Sequence, residues 1–69
     1  MTRLALRRRL CDWFTVNPGP WTAGTLTQLI GGHPGNMRRI LLDLTRRDTL
    51  TRIWDGNTWQ YRFNTQRDR

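Results

Sequence analysis

The sequence predicts an α+β domain, mostly helical, in which three helices precede a two-stranded β-hairpin, with room for a short strand before the second helix. Three observations lead there. Apolar residues recur at helical spacing in three separate windows. The clusters Asn17-Pro18-Gly19-Pro20 and Gly31-Gly32 divide those windows. Beyond Asp48 the residues become β-branched and aromatic on either side of Asp55-Gly56-Asn57-Thr58, a strong turn signal.

The first helix is expected over residues 1–16. Leu6, Leu10, Trp13 and Phe14 form its apolar stripe, with Leu4 at the edge, Arg3, Arg7, Arg8 and Asp12 largely on the other side, and Thr2 as N-cap. Two prolines and a glycine then stop it. Trp21 suits a very short strand. The second helix runs over 22–30 from Thr22 as N-cap, with Leu26, Leu29 and Ile30 as its apolar edge. Gly31-Gly32 turns the chain, because glycine takes the positive φ angles a sharp turn needs. The third helix occupies 33–47, with His33 as N-cap and Pro34 at its first position. Met37, Ile40, Leu41 and Leu44 mark its buried face, and Arg46 and Arg47 sit in its last turn. The hairpin spans 49–63. A four-residue loop sets Trp54 opposite Trp59, Arg52 opposite Tyr61 and Leu50 opposite Phe63. A lone hairpin is marginal, so its aromatic face is expected to pack on the helices. Residues 64–69 form a polar, frayed tail.

Sixty-nine residues make one domain, and a domain of this size buries only about 60% of its unfolded surface. Four tryptophans, two phenylalanines and one tyrosine supply the bulk for its core. Twelve basic residues stand against five acidic ones, for a net charge of +7. Every basic residue is arginine, whose planar fork suits phosphate and guanine edges. Codon usage in a GC-rich genome explains the absence of lysine equally well. The charge nevertheless implies a polyanionic partner.

Chemistry is poorly supplied. With one histidine, one cysteine, no serine and no glutamate, general acid–base pairs and nucleophile triads lack their parts, so the chain is not expected to be an enzyme. Cys11 and His33 are lone potential ligands, so no metal, cofactor or small-molecule ligand is expected. The single thiol excludes a disulfide framework, and the basic start is followed by no continuous apolar segment. A cytoplasmic, nucleoid-associated protein without a membrane segment is expected.

The blocks Thr22–Gly31 and Pro34–Leu44, then Leu50-Thr51-Arg52 and Tyr61, resemble a winged helix-turn-helix domain, the DNA-binding module of small bacterial and phage transcription regulators. The resemblance covers Leu4 to Phe63 and rests on spacing and order. Two positions depart from it: His33 stands where a small polar residue is common, and Asp48-Thr49 where a glycine is common. The resemblance implies that helix 33–47 reads the major groove of double-stranded DNA while the hairpin, as a wing, contacts flanking DNA. The residues carried over are Thr22, Thr25, His33, Gly35, Asn36, Arg38, Arg39, Arg46, Arg52, Asn57 and Arg62.

Among these, Asn36 and Arg39 are first for base contact, since asparagine pairs bidentately with adenine and arginine with guanine, and Arg38 is next. Gly35 would let the backbone approach the DNA, and amides near Thr22 would hold phosphate. Each has a plainer reading. A charge run is usually a solvated helix face, and asparagine near a helix start often caps the backbone. Arg46 and Arg47 serve equally to cap the helix end. Arg52 either reaches DNA or stacks over Tyr61 or Trp59. Asp55 is expected to make the turn. Arg7, Arg8 and Arg9 are expected to form a solvated face. Trp13, Trp21 and Trp59 belong to the core, with Trp54 the tryptophan left exposed.

Two further functions stay open. A protein-interaction module would bind DNA weakly and show an apolar patch, with Trp54 its natural centre. A single-strand or RNA binder would work through exposed aromatics beside arginines. One reading helix covers few base pairs, so a homodimer on DNA or a partner protein is expected.

Overall fold

The computed structural model describes residues 2–64. The chain runs α1 (Arg3–Val16), β1 (Trp21–Thr22), α2 (Ala23–Ile30), α3 (Pro34–Arg46), β2 (Leu50–Trp54) and β3 (Trp59–Phe63). Three helices pack on a three-stranded antiparallel sheet of order β1-β3-β2. This is the expected α+β arrangement, mostly helical.

The helix starts lie one or two residues inside the expected windows because the first residues act as caps. Thr2 Oγ1 accepts from the Ala5 amide at 3.1 Å and Thr22 Oγ1 from the Thr25 amide at 3.2 Å. His33 does the same work with a ring nitrogen, its Nδ1 accepting from the Gly35 amide at 3.0 Å. Each removes one of the orphan N–H groups that a helix start leaves. Between α2 and α3 the glycines are needed for two reasons: Gly32 has φ +91°, and a Cβ there would stand 2.9 Å from a methyl of buried Leu6.

α3 ends in a Schellman motif. The Thr49 amide donates to Leu44 O at 2.9 Å and the Asp48 amide to Thr45 O at 3.1 Å. That geometry needs a left-handed residue, and Asp48 supplies it at φ 62°.

The strand register is the one the loop chemistry demands: Leu50 faces Phe63, Arg52 faces Tyr61 and Trp54 faces Trp59. Asp55 holds the loop, its Oδ1 accepting from the Asn57 and Thr58 amides at 2.8 and 2.7 Å. β1 adds to the free edge of β3 through Trp21 opposite Tyr61. The Pro18–Pro20 stretch is tied to the same strand, with the Phe63 amide donating to Pro18 O at 2.8 Å. Gly19, at φ +97°, passes so near that a Cβ would lie 2.8 Å from Tyr61 O.

Leu6, Leu10 and Phe14 of α1, Leu26 of α2, Met37, Ile40, Leu41 and Leu44 of α3, and Leu50 and Tyr61 of the sheet form the core. Trp13 and Trp21 close its side edge-to-face at 5.8 Å, and the Trp21 indole donates to Asn17 O at 2.9 Å. Three expectations need correction. Leu29 is 53% exposed, so α2 buries Leu26 fully and Ile30 in part. Trp59 is outside the core because the helices close over Leu50 and Tyr61, whereas the loop-end pair borders an open groove between the hairpin and the starts of α2 and α3. Asn64 is not a frayed end: its amide donates to Thr49 O at 3.0 Å, and its side chain joins Thr51 Oγ1 and Asp48 O at 2.6 and 2.8 Å. The rest of the expected tail, residues 65–69, lies outside the described residues. Among the described residues, no helix is long and apolar enough to cross a membrane.

Candidate nucleic-acid interface

The outer face of α3 follows from its inner one. With 3.6 residues per turn, burying Met37, Ile40, Leu41 and Leu44 places Gly35, Arg39, Leu42 and Arg46 on the opposite side. Arg39 and Arg46 are exposed. Leu42 lies between them at 39% exposure and is a member of the outer stripe that apolar periodicity alone does not single out. Its signal was its position, three after Arg39 and four before Arg46.

The remaining α3 candidates fall on the flanks. Arg38, exposed, turns toward the hairpin. Asn36, half-buried, lies toward the flank that carries Asp43. That flank is occupied by an ion-pair cluster. Asp43 Oδ2 accepts from Arg7 of α1 at 2.7 Å and lies 3.3 Å from Arg47 Nε. The Arg7 hydrogen bond, helped by the nearby Arg47 charge, holds the Asp43 carboxyl below its ordinary range. Arg7 is therefore an α1–α3 tie and not part of a solvated face. Arg38, Arg39 and Arg46 make no ion pair with any of the described residues.

A groove of about 670 Å³ separates the starts of α2 and α3 from the hairpin. It brings together Thr22, Thr27, Arg38, Trp54, Asn57 and Trp59, with no acidic residue in its walls. Thr25 is half-buried beside it, and its amide and hydroxyl are both engaged with Thr22 Oγ1. Arg52 stacks 4.0 Å from the Trp59 ring centroid, and Trp54 meets Trp59 at 5.1 Å. Arg52 and Arg62 are separated by the sheet: cross-strand partners share a face, so Arg52 lies with Tyr61 and Arg62 with Thr51. At the loop, the Thr58 and Asn57 amides stabilise the Asp55 carboxylate and lower its pKa, which makes Asp55 a turn former.

The eleven sequence candidates thus divide. Gly35, Arg39 and Arg46 share the outer stripe; Thr22, Arg38 and Asn57 share the groove; Arg52 covers an indole beside it. His33 and Thr25 serve the helix starts, while Asn36 and Arg62 stand on other flanks. Among the described residues, no three His, Cys, Asp or Glu side chains come together as a metal site. Burial raises the pKa of the Cys11 thiol, which is the behaviour of a packing residue. No protein-family model matches the chain, and no curated protein or solved structure is significantly similar to it.

Proposed function

We propose that the chain is a winged helix-turn-helix protein that binds double-stranded DNA, acting as a small transcriptional regulator or a phage or plasmid accessory factor. α3 enters the major groove and the β2–β3 hairpin is the wing. The observation that carries the reading is the outer stripe Gly35–Arg39–Leu42–Arg46, flanked by Arg38. Its arginines point away from the core, and no acidic residue among those described neutralises them. The element order and the β1-β3-β2 sheet support it. The glycine at the start of the stripe admits close approach of DNA, and the arginines provide forks for guanine edges or phosphates. Two copies on adjacent half-sites, or a partner protein, extend the footprint, and the protein works on the nucleoid.

The test is fluorescence anisotropy of a duplex of roughly 25 base pairs, about two helical turns, at several salt concentrations. The wild type is expected to bind at low salt, with a log–log slope of about 0.9 per phosphate contacted. Arg39→Ala is expected to weaken binding to a selected site by about 1–3 kcal/mol. Arg8→Ala is the single-charge control. Equal losses from the two variants would sink the reading.

A further inference from the structure

Two large indoles stand outside the core of a domain with little core to spare. Trp54 is 53% exposed and Trp59 42%, side by side at the loop end of the hairpin. They are not scattered surface residues. Both line the groove that opens toward the starts of α2 and α3, and Arg38 and Asn57 line it with them. Tyr61 continues its aromatic wall inward, and its lining holds no acidic residue; the nearest carboxylate, Asp55, is engaged by the loop through Thr58 and Asn57. Arg52 lies over the Trp59 ring, so an indole here already holds one flat cation. Arg38 and Arg52 are the cations at the groove, in a chain of net charge +7.

Flat aromatic walls with arginine at the rim match a particular ligand chemistry. In a duplex, the bases hide their π faces in the stack and show only edges and phosphates. An unpaired base shows the face itself, and stacking on tryptophan is tolerant of which base it is. Arginine at the rim takes the attached phosphate. We propose that the groove between Trp54, Trp59 and Arg38 binds an unpaired nucleotide of DNA, so that the protein favours duplex bearing a single-stranded end or gap. This goes beyond duplex binding and rests on that reading, overlapping it at Thr22, Arg38 and Asn57 of the groove wall: the outer stripe of α3 holds the duplex, and the neighbouring groove takes the strand that leaves it.

The experiment compares a blunt duplex, the same duplex with a short oligothymidine overhang, and free oligothymidine, by anisotropy and tryptophan quenching. The overhang is expected to raise affinity by roughly tenfold, the scale of one base–aromatic stack, and to quench fluorescence more than the blunt duplex. Trp54→Ala is expected to abolish the preference, read as the ratio of overhang to blunt-duplex affinity, so that any loss the wing substitution causes in duplex binding cancels. Trp54→Phe should keep part of it. Trp59→Ala is expected to behave like Trp54→Ala; because Trp54 is the more exposed, its variants carry the test should the Trp59 variant fail to fold. Equal affinity for blunt and overhanging duplex, or a preference that survives Trp54→Ala, overturns the proposal; a groove that serves a protein partner would give that result. The two proposals fail separately. Blunt-duplex binding without an overhang preference removes this one alone. Tight, Trp54-dependent binding of oligothymidine with no duplex binding removes the duplex reading alone.

Discussion

α1 and α3 carry most of the arginines, and they use them differently. α1 has the denser run, Arg7 to Arg9, yet Arg7 is bound by Asp43 across the helix interface. The helix is fixed by Leu6, Leu10 and Phe14, which lie between 0 and 2% exposed. α3 spaces its arginines more widely, and Arg39 and Arg46 stand on its outer stripe. The single acid within α3, Asp43, is on a flank, where it engages Arg7 and Arg47 and leaves the outer stripe unneutralised. Arg8 and Arg9 are exposed and unpaired among the described residues, as Arg39 and Arg46 are, so arginine density overstates the free charge of α1 by Arg7 alone. What separates the two helices is Arg7, which Asp43 withholds.

The sharpest way to break that contrast is to attack each side of α1. Phe14→Ala removes a fully buried ring that also stacks near Phe63 at 6.3 Å. The expected loss is about 3–5 kcal/mol, enough to abolish cooperative melting in a domain of this size. The joint variant Arg8→Ala with Arg9→Ala should melt like the wild type and lose no more duplex affinity than two generic charges explain. If it loses as much as Arg39→Ala, α1 belongs to the interface and the contrast fails.

Asp43→Asn tests the contrast from the other side. Freeing Arg7 and Arg47 should strengthen duplex binding at low salt a few-fold, and steepen the salt slope by about 0.9 for each phosphate newly contacted. An unchanged slope would mean that Asp43 is not what withholds Arg7. The same carboxyl sets an acid sensitivity. Its pKa is lowered in the folded state, chiefly by the Arg7 hydrogen bond, and that of Asp55 is lowered by the Thr58 and Asn57 amides. Such groups stabilise the fold above their unfolded pKa, near 3.9, and that contribution is lost as the pH falls through the lower folded value. Melting temperature should stay level through neutral pH and drop on acidification below about 4. Asp43→Asn should make the drop shallower.

Much of the fold was legible because its signals are local. Asp55-Gly56-Asn57-Thr58 sets the loop, and the loop sets the register of Leu50–Phe63, Arg52–Tyr61 and Trp54–Trp59. His33-Pro34 announces the start of α3 within one residue. The losses are all long-range. Arg7 and Asp43 meet across 36 positions, and periodicity shows that each is polar without showing that they face each other. Trp59 reads as core by composition. Its exposure depends on the groove left open between the hairpin and the starts of α2 and α3, and no window of sequence holds that spacing. Leu29 reads as buried by spacing, but the eight-residue helix between β1 and Gly31-Gly32 seats only Leu26 fully. The outer stripe was legible for Arg39 and Arg46 as the complement of the buried set. Asn36, first for base contact by its chemistry, lies half-buried on the flank of Asp43, a placement that follows only once the buried face of α3 is fixed.

The smallest effect expected separates two acids on one helix. Asp43 lies inside α3 and is satisfied by two arginines, whereas Asp48 follows the helix end in the left-handed region at φ 62°. A β-carbon is strained there, although aspartate and asparagine tolerate the region better than most residues. A negative side chain also sits beside the carbonyl end of the helix, where the macrodipole disfavours it by about 0.3–1 kcal/mol. Asparagine keeps the shape and removes the charge. Asp48→Asn should therefore raise the melting temperature by a few degrees, since about 1 kcal/mol moves a domain of this size by roughly 4–8 °C. Asp48→Gly trades the strain for extra chain entropy and should gain less or nothing. Because Asn64 Nδ2 binds the Asp48 backbone oxygen and not its side chain, neither variant should disturb the hairpin. A lower melting temperature for Asp48→Asn would show that this carboxylate makes a stabilising contact, and the distinction from Asp43 would then have to be drawn elsewhere.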